Sequence, residues 1–290
     1  MVIYRRQLWL YPLFQVPLML MLGCLIIAAL GWLLSWGRPP VAVSVALDFS
    51  SSTAGIVRQQ EIEAVNSYLE QNKQLNNPNQ VQIFGFASEV KALTTDFKAD
   101  TTQVQNQLKQ SIQNTTLEKE LGGGTNLNLA IQAGTDALSG VEKRCRELLI
   151  VSDGEASLDE SVIQNAIDNN VKINAVVLGG RQSPAVQTAT NRTDGIYLQD
   201  EASNLEGLFT DTFFTKFNSN NKWIRFWVAG AFIFLMWMLV LPLDRWVLQS
   251  LIGLNMTLSG QIALGNALFW TVLTLTLIWR LWGLPFGVSC

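Results

Sequence analysis

The stretch Val41-Ala42-Val43-Ser44-Val45-Ala46-Leu47-Asp48-Phe49-Ser50-Ser51-Ser52 decides how this chain folds. Val41 to Leu47 is a short apolar run rich in β-branched residues, the pattern of a strand buried on both faces. It closes on Asp48, and Asp48, Ser50 and Ser52 crowd oxygen-bearing side chains into the turn that follows. The same arrangement recurs downstream. Leu148 to Val151 reads as a second buried strand leading to Asp153-Gly154, and Thr125 follows Gly122-Gly123-Gly124. Asp48, Ser50, Ser52, Thr125 and Asp153 thus stand at the ends of elements far apart in sequence. An all-oxygen set of this kind suits a hard divalent cation. Mg²⁺ favours near-octahedral oxygen coordination and keeps waters and an outside ligand, and Mn²⁺ and Ca²⁺ accept related sets.

Outward from that stretch, strands and helices alternate. Expected strands are Val41–Leu47, Val81–Ala87, a short edge at Val90–Leu93, Glu147–Ser152, Val171–Leu178 and Ile196–Leu198. Expected helices are Ala54–Leu75, Thr101–Ile112, Asn126–Leu138, Leu158–Asn169 and Ala202–Phe217. Such alternation predicts an α/β fold with a parallel sheet and crossover helices. Ligands of open parallel sheets sit beyond the carboxyl ends of the strands, where Asp48 and Asp153 fall.

Asp-x-Ser-x-Ser, a Thr after a glycine-rich loop, and a strand ending in Asp-Gly, in that order between Val41 and Phe217, resemble the von Willebrand factor A (vWA) domain with its metal-ion-dependent adhesion site. The resemblance implies a Rossmann-like, doubly wound, mostly parallel sheet. It also implies that Asp48, Ser50, Ser52, Thr125 and Asp153 hold the metal, the hydroxyls directly or through water and Asp153 often from behind a water. With only two formal negatives among these residues, a bound cation would retain Lewis acidity and take one more carboxylate, an Asp or Glu from a partner protein. Glu155, close to Asp153, reads as a solvated loop acid.

Charge is unevenly placed. From Val41 to Phe217 there are 13 Lys and Arg against 22 Asp and Glu, a balance of −9, whereas all ten tryptophans lie outside that segment. An acidic surface does not suit nucleic acid, whose binding needs a basic face. The chain has no histidine, which excludes Ser-His-Asp and Cys-His hydrolysis and HExxH zinc chemistry. No general base stands apart from the candidate ligands, so an enzyme is not expected. Cys24, Cys145 and Cys290 include no close pair and no zinc-ligand spacing.

The flanks are membrane-seeking. No charge occurs from Gln7 to Gly37, and Leu13 to Trp36 is long and apolar enough to cross a bilayer. The apolar stretch exceeds a signal-peptide core and no A-x-A site follows, so an uncleaved anchor is expected. Phe226 to Leu243 is a second candidate span, expected to end at Pro242 and Asp244-Arg245. Ile262 to Ile278 is a third, after a softer stretch, Leu251–Gln261, read as a turn or interfacial segment. Two spans plus a hairpin-like C-terminus is the alternative. The organisation expected is residues 1–37 as tail and anchor, 41–217 as the vWA domain and 222–290 as a membrane region with about two helices. Arg5 and Arg6 before the first span favour an extracytoplasmic vWA domain, although Arg38, Lys222, Arg225 and Arg280 vote the other way. The first helix usually dominates orientation.

Membrane helices on both sides of the domain are similar to the bacterial Bat-type vWA membrane proteins. That resemblance implies a bacterial inner-membrane location and, as partners, a MoxR-type AAA+ ATPase or other vWA membrane proteins. The leading expectation is a membrane-anchored adaptor or assembly factor; the alternative is a structural subunit of a membrane complex, held by its helices, in which metal only stabilises the fold.

Overall fold

The computed structural model describes residues 8–153, 157–179 and 182–284; Arg5, Arg6, Gly154, Glu155 and Cys290 lie outside the described residues. In chain order the elements are α1 (Pro12–Leu34), β1 (Val41–Asp48), α2 (Ile56–Lys73), β2 (Gln80–Phe86), β3 (Val90–Ala92), α3 (Thr101–Ile112), α4 (Leu117–Leu121), α5 (Leu127–Ser139), β4 (Cys145–Ser152), α6 (Glu160–Asp168), β5 (Val171–Leu178), α7 (Pro184–Arg192) and β6 (Tyr197–Asp200). A closing helix α8 (205–217) and two long apolar helices, α9 (Asn221–Leu251) and α10 (Met256–Leu281), complete the chain described. The chain divides into an α/β unit, Pro39–Asn218, and a helical unit formed by the flanking segments.

The α/β unit is built on a six-stranded sheet in the order β3-β2-β1-β4-β5-β6. The β2–β3 pair is antiparallel and every other pair is parallel. Both faces of β1 are buried, as the unbroken apolar run requires. Val41, Val43, Val45 and Leu47 join one core with α2, α3 and α8, while Ala42 and Ala46 join the other with α5, α6 and α7. Small residues on the second face let α5 come close. A Cβ on Gly134 would stand 2.5 Å from Leu148 Cδ1, so any larger residue would force the Leu148 side chain to shift. On the first face Phe209, Phe213 and Phe217 of α8 stack in sequence, with Tyr68 of α2 edge-on to Phe209 at 6.5 Å between centroids.

Two short helices escape sequence pattern. Helix α4 is only five residues long, and α7 is nine residues long and carries Thr188, Thr190 and Asn191, poor helix formers. Helix α8, expected as one regular element, runs through a π-helical turn at Leu208–Phe213.

Among the described residues, three helices, all in the helical unit, are long and apolar enough to cross a membrane. Cys24, Ala28 and Gly31 of α1 are buried, and a Cβ on Gly230 of α9 would meet Cys24 Sγ at 3.4 Å, the close approach of small residues that membrane helices use. Asn220 Nδ2 donates to Gly31 O at 2.6 Å and Trp36 O at 2.9 Å, capping carbonyls that the end of α1 leaves open. Pro242 and Asp244-Arg245 do not end the second span, contrary to expectation; α9 continues to Leu251. The helix loosens at Leu239, where ψ is −8°, before the proline ring, and then winds as a π-helix from Leu243. Asp244 accepts hydrogen bonds from Ser259 Oγ at 2.5 Å and Gln249 Nε2 at 2.9 Å, and Arg245 lies over the Tyr11 ring at 4.4 Å. The third span starts earlier than Ile262, at Met256, because Asn255 accepts from Leu258 N at 2.8 Å as an N-cap.

One buried carboxyl in the sheet makes stability depend on pH. Glu147 on β4 is 8% exposed, and burial pushes it up to about 7, while the Asn174 Nδ2 donor at 2.8 Å pulls it back. Below the ordinary value of 4.5 the group is protonated in both folded and unfolded chains. Between the two values the unfolded chain has released its proton and the folded chain has not, so stability falls as pH rises, by about 3 kcal/mol when both are ionised. Chemical unfolding in detergent between pH 4.5 and 8 is expected to show this decline, and Glu147→Gln is expected to flatten it.

Candidate metal centre

Asp48 and Asp153 fall where strand order reverses, at the carboxyl ends of β1 and β4. Asp48, the last residue of β1, is fully buried. Its Oδ1 accepts Ser50 N–H at 2.8 Å, and its Oδ2 accepts the hydroxyl of Ser152, the last residue of β4, at 2.8 Å. Each carboxylate oxygen has two lone pairs, so this bonding orients the group and leaves acceptor capacity for a cation or water. Thr53 Oγ1 closes the turn by donating to Asp48 O at 2.7 Å and Ser50 O at 3.1 Å. Within that turn the Ser50 and Ser52 hydroxyls stand 3.0 Å apart, with Ser50 buried and Ser52 exposed.

The glycine loop is tied to the same turn. Ser51 N donates to Gly123 O at 3.2 Å, and Gly124 N donates to Ser88 Oγ at 2.9 Å. A Cβ on Gly123 would lie 2.7 Å from Ser51 Oγ, and one on Gly124 2.8 Å from Ser88 Oγ, so a side chain at either position would displace a serine hydroxyl from its place in the loop. Asn126 then caps α5, accepting Leu129 N at 3.3 Å while its own N–H donates to Ala87 O at 2.7 Å. Thr125 is held between these anchors and lines a recess of about 430 Å³ with Ser88, Asn128 and Ser157. Ser52 and Asp153 line a cleft of about 630 Å³ with Val57, Leu178, Ala202, Asp200 and Glu201. Asp48, Ser50 and Ser52 therefore form one bonded group, Asp153 shares a cleft with Ser52, and Thr125 sits on the loop bonded to the turn.

Electrostatics set the two ends of this group apart. Burial raises the Asp48 carboxyl above its ordinary range, the bonds from Ser50 and Ser152 pull it down, and the charge of Asp153 adds to the rise. A cation would relieve that penalty directly. Behind the turn, Arg58 Nη2 donates to Ser50 O at 3.0 Å, its guanidinium lies 4.7 Å over the Phe49 ring, and it pairs with Glu118 of α4. That pair links the turn to the helix that leads into the glycine loop.

Several residues here escape sequence reasoning: Thr53, Ser88, Ser152, Arg58 and Glu61. For Glu61 a signal was present. It precedes Ala64, Val65, Tyr68, Leu69 and Asn72 on the buried face of α2, an acid at the head of an apolar stripe. Glu61 is fully buried; among the described residues neither carboxylate oxygen has a partner in good hydrogen-bond geometry, and burial followed by the Asp48 charge raises its carboxyl well above the ordinary value, with Arg58 and the Asp48 backbone only partly offsetting the rise. An orphaned buried polar group costs stability. Glu61→Met is expected to stabilise the chain by about 1–3 kcal/mol in thermal or denaturant unfolding.

Comparison with known proteins agrees with this architecture. Residues 43–155 match the family model of the von Willebrand factor type A domain. The solved structure of von Willebrand factor type A from Catenulispora acidiphila is 12% identical, with a TM-score of 0.50 over 63% of this chain and 43% of its own. An aerotolerance-related membrane protein from Bacteroides fragilis NCTC 9343 is 15% identical, with a TM-score of 0.47 over 59% of this chain and 95% of its own. BatB from Bacteroides thetaiotaomicron is also 15% identical, with a TM-score of 0.46 over 59% and 96%. No curated protein matches the sequence. Identities this low speak to the fold alone. The family match over residues 43–155 and the sheet order β3-β2-β1-β4-β5-β6 give the α/β unit the fold of a von Willebrand factor type A domain.

Proposed function

We propose that this chain is a membrane-anchored, non-enzymatic binding protein. Its vWA domain, residues 41–217, would hold a divalent cation with Asp48, Ser50, Ser52, Thr125 and Asp153, and through it an Asp or Glu of a partner protein. The observation that carries the reading is the Ser50–Ser52 hydroxyl pair, 3.0 Å apart, in the turn whose first residue is the buried, doubly bonded Asp48. The donors are all oxygens, which fits Mg²⁺ first and Mn²⁺ or Ca²⁺ next. The Ser51 N–H bond to Gly123 O, and the close approach of Gly123 to Ser51 Oγ, hold the threonine loop beside that turn, a placement in keeping with a small ion.

The cation would supply Lewis acidity, and the chain's residues would do the rest. Ser152 and the Ser50 amide orient Asp48, Thr53 fixes the turn, and Arg58 joins the turn to α4. The three apolar helices would anchor the domain, with residues 1–37 before it and 222–290 after it, in a bacterial inner membrane. Arg5 and Arg6 favour the domain on the extracytoplasmic side. Another vWA membrane protein or a MoxR-type AAA+ ATPase is the partner class implied by the Bat resemblance, in an adaptor or assembly role.

Calorimetric titration of Mg²⁺, Mn²⁺ and Ca²⁺ into the purified chain in detergent tests the reading. Saturable binding is expected, weakened at least tenfold by Asp48→Asn and by Asp153→Ala while thermal unfolding stays cooperative. No binding, with or without acetate as a free carboxylate, would sink it and favour a structural subunit held by its helices.

A further inference from the structure

The cleft beside the candidate metal centre has a chemistry of its own. Its floor is apolar, formed by Val57, Leu178 and Ala202, and its rim carries the carboxylates of Asp200 and Glu201. No lysine or arginine lines it among the described residues. The rim is firm. Asp200 Oδ1 accepts from Glu201 N at 2.8 Å and from Asn204 Nδ2 at 2.7 Å, bonds that hold its carboxyl below the ordinary value and keep it charged.

A second observation points at the same face. Within the described α/β unit, one large hydrophobic side chain is exposed, Ile56 at 75%. It opens α2, immediately before Val57 of the cleft floor and four positions after Ser52. Ala54 and Gly55 beside it are exposed too, so the segment between the hydroxyl pair and α2 presents apolar surface to water. Scattered exposed hydrophobics need no explanation; Ile56 does not itself line the cleft but is next in the chain to Val57, which does, on a segment leading from Ser52, and the cleft shares Ser52 and Asp153 with the candidate site.

Resting on the metal reading above, we propose that this face recognises a protein segment carrying three features in register. An acidic side chain would meet the cation, an adjacent apolar side chain would lie in the cleft against Val57, Leu178 and Ala202, and a basic side chain would pair with Asp200 and Glu201. The apolar contact would supply affinity. The charged rim would select among acidic segments by rejecting those with a second acid where the basic residue belongs, since like charges juxtaposed at an interface are strongly disfavoured.

The test uses the full chain in detergent with Mg²⁺ and synthetic peptides acetyl-Gly-Asp-Leu-Lys-Gly-amide, its Asn-Leu-Lys, Asp-Gly-Lys and Asp-Leu-Glu variants, followed by calorimetry or ligand-observed NMR. The Asp-Leu-Lys peptide is expected to bind at least tenfold more tightly than each of the others. Asp200→Asn with Glu201→Gln is expected to erase the preference for Lys over Glu while leaving Mg²⁺ binding unchanged, and Val57→Thr to narrow the preference for Leu over Gly. Equal binding of the Lys and Glu peptides, or no peptide binding at millimolar concentration, with Mg²⁺ binding intact, would overturn this inference and leave the metal reading standing. Absence of Mg²⁺ binding, or equal binding of the Asp and Asn peptides, would overturn the metal reading and this inference with it.

Discussion

The buried carboxylate of Asp48 is the constraint on which the α/β unit's functional face depends. A charge placed at a strand end without water needs hydrogen bonds or a counter-ion. Here the bonds come from the next turn, through Ser50 N, and from the neighbouring strand, through Ser152 Oγ. One side chain therefore ties β1, the turn after it and β4 together at the place where strand order reverses. The same bonds leave the Ser50 and Ser52 hydroxyls side by side, so the scaffold's solution to a burial problem is also the arrangement of the candidate ligands.

Around this point a wider polar network is unevenly satisfied. Arg58 reaches the Ser50 carbonyl, Phe49 and Glu118, so the turn and the helix before the glycine loop are joined by one guanidinium. Glu61, one helical turn further along α2, has among the described residues no well-formed hydrogen bond to its carboxyl, only the nearby Asp48 backbone and Arg58 charge. A local cost of this kind sits close to candidate functional groups, where conflicts between local and global preference are expected to concentrate. In the helical unit Asp244 accepts from both Ser259 and Gln249, and Trp237 Nε1 donates to Thr271 Oγ1 at 3.0 Å, as a low-dielectric setting favours.

Much of this was legible from residue pattern. The unbroken apolar runs at Val41 and Leu148 marked strands buried on both faces, and their terminal Asp residues fall at the switch point of the sheet. Periodicity failed where it was weak or overridden. Helix α4 is too short to show a period, and α7 is built from poor helix formers whose buried face, Val186, Ala189 and Thr190, is small. Pro242 was misleading for a different reason: a proline ends a helix only if the preceding turn cannot open, and at Leu239 it does.

By itself the sequence determined the alternation of elements, the acidic domain between apolar flanks and the identity of the five candidate ligands, because these follow from local pattern and residue chemistry. Tertiary structure alone decided which groups hold those ligands. Ser152 and Asp48 are brought into contact across 104 positions, and Arg58 and Glu118 across 60, by strand order and loop packing that no local pattern encodes. It also decided that the cleft beside Ser52 and Asp153 has an apolar floor and an acidic rim, since that surface gathers α2 and the ends of β4, β5 and β6, which meet only when the sheet closes its ranks.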